Sequence, residues 1–173
     1  MQLIRRGTMN QIRRRLPPIA IVAVVIAVAA GSARADAASA PDNPIRFCAA
    51  LSDAEESVPT YSDGRGRGVF TLSRADLTFT WDVAFRGLSG PVVAANAHGP
   101  QRPGANASAL FPLATASAPA SPLKGSIVLS EGQLKYLLNA RIYVNLTTAK
   151  YPAGEIRGQV QRVLPGTACP ELK

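Results

Sequence analysis

His98 is the only histidine of the chain, and it stands in Asn96-Ala97-His98-Gly99-Pro100. An imidazole can hold a metal or move a proton, and Glu155 is the carboxylate that would serve it as an acid–base partner. A single imidazole makes no tight zinc or copper site unless carboxylates or thiolates join it. The plainer reading is a strand-end histidine hydrogen-bonded to the backbone. Glu155 and Arg157 stand two apart in Ala153-Gly154-Glu155-Ile156-Arg157-Gly158. On a strand that spacing puts both on one face, where opposite charges pair or meet cross-strand partners. General acid–base catalysis by Glu155 would want a second titratable group close by. Asp53, Glu55, Glu56 and Asp63 form an acidic group with enough oxygens for calcium but without a DxDxDG spacing, so a solvated loop is expected. Arg65 and Arg67 make a short RGG-like run without flanking aromatics, which is weak ground for nucleic-acid binding.

No nucleophile elbow, P-loop, HExxH or dinucleotide fingerprint is present. Cys48 and Cys169 are too far apart in sequence for a CxxC redox or zinc motif. Their simplest use in an oxidising compartment is one disulfide tying the two ends of the domain; two free thiols are the alternative. Closing so long a loop is worth up to ~4–5 kcal/mol in the chain-entropy picture.

The elements that must carry these residues follow from periodicity. Leu77, Phe79, Trp81, Val83 and Phe85 alternate with Thr78, Thr80, Asp82 and Ala84, the pattern of a strand with one face buried. Val69–Leu72 supplies its hairpin partner across Ser73-Arg74-Ala75-Asp76. Further strands are expected at Ile45–Leu51, Val92–His98, Ala109–Leu113, Leu123–Leu129, Ile142–Leu146 and Glu155–Val163. Ser52–Gly68 reads as a long exposed loop, Gly99–Ala107 as a Gly- and Pro-rich loop, and Ala114–Pro122 as a low-complexity connection. Ser130-Glu131-Gly132-Gln133 matches a capping box, with Leu134, Leu137 and Leu138 at helical spacing behind it. Seven or eight short strands and one short helix give an all-β fold, an antiparallel β-sandwich or flattened barrel. Superoxide-dismutase-like and immunoglobulin-like arrangements both stay open. Trp81 on the alternating face is explained by core packing.

The basicity is unevenly placed. Six of the nineteen basic residues and none of the eleven acidic ones fall in residues 1–35, so the remainder is near neutral and steers polyanions weakly. Arg13-Arg14-Arg15, the apolar run Pro17–Gly31 and the small-x-small triplet Ala33-Arg34-Ala35 read as a signal peptide cleaved before Asp36. The apolar run is shorter than the ~20 residues of a spanning helix, which makes an uncleaved anchor the lesser alternative. Either Met1 or Met9 serves as the start. Residues 36–44 read as a linker and 45–173 as the one folded domain.

Four stretches, in this order, resemble the CHRD (chordin-type) domain. They are Phe47–Val58 (FCAALSDAEESV), Gly87–Pro100 (GLSGPVVAANAHGP), the Ser130–Leu138 helix and Tyr143–Gly158 (YVNLTTAKYPAGEIRG). The resemblance implies a secreted or cell-surface β-sandwich module with no agreed enzymatic activity. It marks His98, Gly99, Pro100, Asn145, Tyr151, Pro152, Gly154, Glu155, Arg157 and Gly158 as motif positions with a structural role. Many bacterial members read His-x-His-Gly-Pro where this chain has Asn96 in place of the first histidine, and often carry a histidine where it has Thr147. The expectation is therefore an exported, non-enzymatic module in the periplasm or outside. It would bind a protein or envelope partner, with no cofactor, no nucleic acid and no membrane span after cleavage. The rival expectation is a copper- or zinc-binding redox or carrier protein with a degenerate histidine site.

Overall fold

The computed structural model describes residues 43–172. The expected signal segment and residues 36–42 of the linker lie outside the described residues, while Asn43 and Pro44 lead into the first strand. Nine strands follow in order: β1 Ile45–Ser52, β2 Arg65–Leu72, β3 Thr78–Arg86, β4 Val92–His98, β5 Ala109–Pro112, β6 Leu123–Val128, β7 Tyr143–Thr148, β8 Ile156–Gln159 and β9 Gln161–Arg162. A single helix, α1 (Glu131–Leu138), separates β6 from β7. All pairs are antiparallel, in the order β5-β4-β7-β8-β1-β2-β3-β6, with β9 set against β1.

One curled sheet thus makes both layers of the expected sandwich. The halves β5-β4-β7-β8 and β1-β2-β3-β6 are joined at a corner where Ser52 pairs with Arg157. Alternation supplies the core: Phe47 from β1, Phe70 and Leu72 from β2, and Phe79, Trp81 and Val83 from β3 point inward. They meet Ala95, Ala97, Phe111, Val144, Leu146 and Ile156 from the other half. Phe79 stacks on Phe70 at 5.4 Å and meets Phe111 of β5 edge-on at 6.3 Å, so aromatic contacts cross the sandwich. Burying each of these rings is worth roughly 1.5–3 kcal/mol relative to exposure. The Trp81 indole lies over Gly125 of β6, where a Cβ would stand 2.5 Å from the ring. Its N–H donates to the Leu113 carbonyl at 3.1 Å, tying the chain after β5 to the far half.

β2 starts at Arg65, earlier than expected, so the exposed loop 52–68 shrinks to residues 53–64. In Arg65-Gly66-Arg67-Gly68 the arginines face outward and the glycines take the buried places of a period-two strand. Glycine lacks the apolar side chain that advertises burial, which hides the pattern. The capping box is present: Gln133 N–H donates to Ser130 Oγ at 3.3 Å, and Ser130 N–H to Gln133 Oε1 at 2.9 Å. The disulfide Cys48–Cys169 links β1 to the chain beyond β9, with α-carbons 5.5 Å apart.

Candidate functional site

On β7 and β8 both faces are covered, and on β4 the outer face is partly covered at its His98 end. The inner face meets the core. The outer face carries His98, Tyr143, Arg157 and Gln159, and residues 99–108 fold back over it. Register puts His98 beside Tyr143, and Tyr143 beside Gln159. The His98 ring stacks on Tyr143 at 5.0 Å, and the Arg157 guanidinium lies 3.4 Å from the same ring's centroid. Arg157 is 1% exposed. Burying a charge is costly unless every donor is satisfied. Here the guanidinium donates to Asn106 Oδ1 at 3.2 Å and to the carbonyls of Ala105 (2.8 Å) and Arg102 (3.4 Å). Tyr143 Oη accepts from the Ala107 amide at 3.0 Å, and His98 Nδ1 lies 3.0 Å from the Ala107 carbonyl. Gln159 donates to the carbonyls of Gln101 and Ala140. Arg157 is therefore the pin that holds the 99–108 loop to the sheet.

Glu155 sits outside β8, in the arch that follows β7, and it does not pair with Arg157 as their spacing suggests. Its carboxylate accepts from Ser62 Oγ (2.6 Å), the Ser89 amide (2.7 Å), Ser89 Oγ (2.7 Å) and Thr148 Oγ1 (2.5 Å). Its carbonyl accepts from Thr60 Oγ1 at 3.0 Å. Burial alone would raise its pKa. The hydrogen bonds from Ser62, Thr148 and Ser89 outweigh that and hold it below the ordinary 4.5. This one side chain fastens the 53–64 loop, the β3–β4 connection and β7 to one another.

The acidic loop is divided. Asp53 pairs with Arg65 at 3.2 Å, and Glu55 and Asp63 are exposed. Glu56 turns inward and is 8% exposed. Burial pushes its pKa up to about 7, with Arg157 pulling the other way. Among the described residues its Oε1 has no hydrogen-bond partner, nor does Asn145 Oδ1. Both oxygens lie within 2.6 Å of where a Cβ on Gly154 would stand, and Gly154 adopts φ +145°. Only glycine fits there. Beside them is a pocket of about 430 Å³ lined by Val58, Pro59, Asn106, Lys150, Tyr151 and Pro152 among others. Tyr151 Oη donates to the Thr60 carbonyl at 2.9 Å, bracing the loop from the arch.

The remaining motif residues support this frame. Gly99 N–H donates to the Ser108 carbonyl at 3.2 Å and leads into Pro100, and Gly158 faces Val144 across β7–β8. Asn145 donates to the Ala153 carbonyl at 3.1 Å. Sequence reading did not single out Tyr143, Ser62, Ser89 or Thr148, and it placed Glu56 with the solvated acidic loop. Nothing local distinguishes Glu56 from its acidic neighbours, whereas Tyr143 carries a signal, an aromatic in register with His98.

The donor set does not fit copper or zinc. Asn96 and Thr147 are poor ligands for either ion, and Thr147 Oγ1 already bonds the Ala94 amide at 3.1 Å. Thr147 lies opposite Ala94, four residues along β4 from His98, or ~13 Å away. Among the described residues, no group of three or more His, Cys, Asp or Glu is placed to hold a metal ion.

Comparison with protein families matches residues 47–160 to the CHRD domain. Neither curated proteins nor solved structures gave a match. The CHRD domain is an extracellular-type β domain, and the Cys48–Cys169 bond is consistent with that compartment. The match spans more than half of the sequence and takes in both the outer-face stack and the Glu155 arch, and the chain belongs to the CHRD domain family.

Proposed function

We propose that the chain is an exported, non-enzymatic β-sandwich module that binds a protein or envelope partner through its 53–64 loop. The carrying observation is a loop fixed at its base and apolar at its tip. Tyr61 is 91% exposed and Val58 75% exposed. Tyr61 also holds φ 54°, a left-handed conformation that costs a non-glycine residue on the order of 1–2 kcal/mol. Such a residue persists where its surroundings over-determine it, and here Thr60 and Ser62 on either side bond Glu155. A rigid aromatic anchor loses little entropy on binding. The buried ionisable groups Glu155 and Arg157 hold loops in place, which supports recognition over catalysis. Export rests on the Arg13–Ala35 segment and the disulfide. Among the described residues no helix is long and apolar enough to cross a membrane.

A photo-crosslinking residue at position 61 tests the reading, with position 124 on the β6 edge as the reference. Discrete adducts at 61 and not at 124 are expected. Equal yield at both sites, or none above background, overturns it. Amino-terminal sequencing of the exported protein should begin at Asp36, and an intact Met1 or Met9 terminus would refute cleavage.

A further inference from the structure

We propose that Glu56 is held as a neutral carboxylic acid that donates a hydrogen bond to Asn145 Oδ1, and that loss of this proton loosens the 53–64 loop. Asn145 is oriented by its amide nitrogen, which donates to the Ala153 carbonyl at 3.1 Å; its Oδ1, like Glu56 Oε1, lies within 2.6 Å of where a Cβ on Gly154 would stand. Two buried acceptor oxygens thus border one small space, and among the described residues neither accepts a hydrogen bond. Buried polar atoms are rarely left without partners, and two ionised or neutral acceptors side by side repel. A proton on Glu56 supplies the missing donor and removes the charge that burial disfavours.

The charges around Glu56 agree. Arg157 on β8 is the cation that favours ionisation, but its guanidinium hydrogen bonds go to Asn106, Ala105 and Arg102. On the arch, Glu155 is ionised and adds a like charge one residue from Gly154, while Lys150 and Tyr151 line the neighbouring pocket. The 99–108 loop contributes neutral Asn106. On the loop itself Asp53 is paired with Arg65, and Glu55 and Asp63 face solvent. A carboxyl in this setting titrates near neutrality, at about 7. Ionisation leaves Oε1 and Oδ1 as facing acceptors, and the relief is outward movement of residues 56–60, which opens the pocket beside Tyr151. The released proton goes to solvent. That the loosening alters recognition rests on the reading of this loop as the contact surface; the protonation does not.

The test is a carbon-detected NMR titration of the glutamate side chains in the purified, oxidised protein, with Glu56→Gln identifying the resonance. A Glu56 midpoint of about 7 is expected, together with a rise in amide exchange at residues 57–61 through that midpoint, relative to other loops. Glu56→Gln, whose amide donates permanently to Asn145, should abolish the excess exchange. A midpoint near the ordinary 4.5 overturns the proposal, as does loop exchange that rises equally in the variant. If the variant does not fold, sequential assignment of the wild-type resonance still decides the midpoint. Crosslinking from position 61 separates the two readings. A midpoint of about 7 with adducts equal above and below it refutes the switch alone. The same midpoint with no adduct at any pH refutes the recognition surface and leaves the proton in place.

Discussion

Glu155 and Glu56 are both buried, both next to Gly154 in space or sequence, and both at the base of one loop, yet they are held in opposite states. Glu155 is surrounded by donors, three hydroxyls and one amide, and stays ionised. Glu56 Oε1 accepts no hydrogen bond among the described residues, and the group is pushed towards neutrality. Burial is common to the two, so burial does not decide the state. The polarity of the neighbouring groups does. Glu155 behaves as a fixed fastener and Glu56 as one that can release.

Replacing the fastener has the largest expected effect. Glu155→Ala leaves the buried Thr148 hydroxyl without its acceptor, at ~1–3 kcal/mol, and removes one more hydrogen bond each from half-buried Ser62 and exposed Ser89, at ~0.5–1 kcal/mol apiece. A loss of about 3 kcal/mol or more in urea unfolding is expected, with Glu155→Gln milder. A loss under ~1 kcal/mol would remove Glu155 from its role. Gly154→Ala is next: the new methyl meets Glu56 and Asn145 at 2.5 Å in a backbone conformation that alanine avoids. About 2 kcal/mol of destabilisation follows, and an unchanged Tm would show the arch to be loose.

The sharpest contrast is in pH dependence. Glu155, held below the ordinary value, contributes stability that is present above 4.5 and lost as pH falls through its folded value. Glu56 has the opposite sign. Its pKa is raised from 4.5 to about 7, so stability falls as pH rises between those values and levels off above them. Glu56→Gln should therefore match the wild type near pH 4.5 and exceed it at pH values above 7, by ~1 kcal/mol or more. A variant less stable than the wild type at high pH would place Glu56 with Glu155. The smallest effect belongs to His98→Ala, which removes one stacked ring at ~1 kcal/mol and should leave copper and zinc affinity unchanged in titration calorimetry.

Much of the fold was legible because period-two alternation from Leu77 to Phe85 and the Ser130–Gln133 box are local signals. The motif stretch Tyr143–Gly158 was legible as important, but its chemistry was not. Glu155 and Arg157 look like an ion pair two residues apart, and only the end of β8 at Ile156 separates them. The covering of the outer face by residues 99–108 is a long-range event that polar, Gly- and Pro-rich sequence disguises as an exposed loop. The Arg-Gly alternation concealed the first half of β2, Arg65–Gly68, since glycine buries backbone rather than a side chain.

The disulfide has a mechanical consequence. Cys48 lies on β1, in the middle of the sheet, and Cys169 beyond β9, at a sequence separation of 121. Tension applied between the chain before Cys48 and the chain after Cys169 passes through a covalent bond. Apart from the pairing of Ile45–Phe47 with Phe70–Leu72 and of Phe47 with Arg162, no strand pair among the described residues lies on that load path. A module tethered at both ends would keep its 53–64 loop in working geometry under forces that shear an unlinked sheet, and reduction would turn a rigid link into an extensible one.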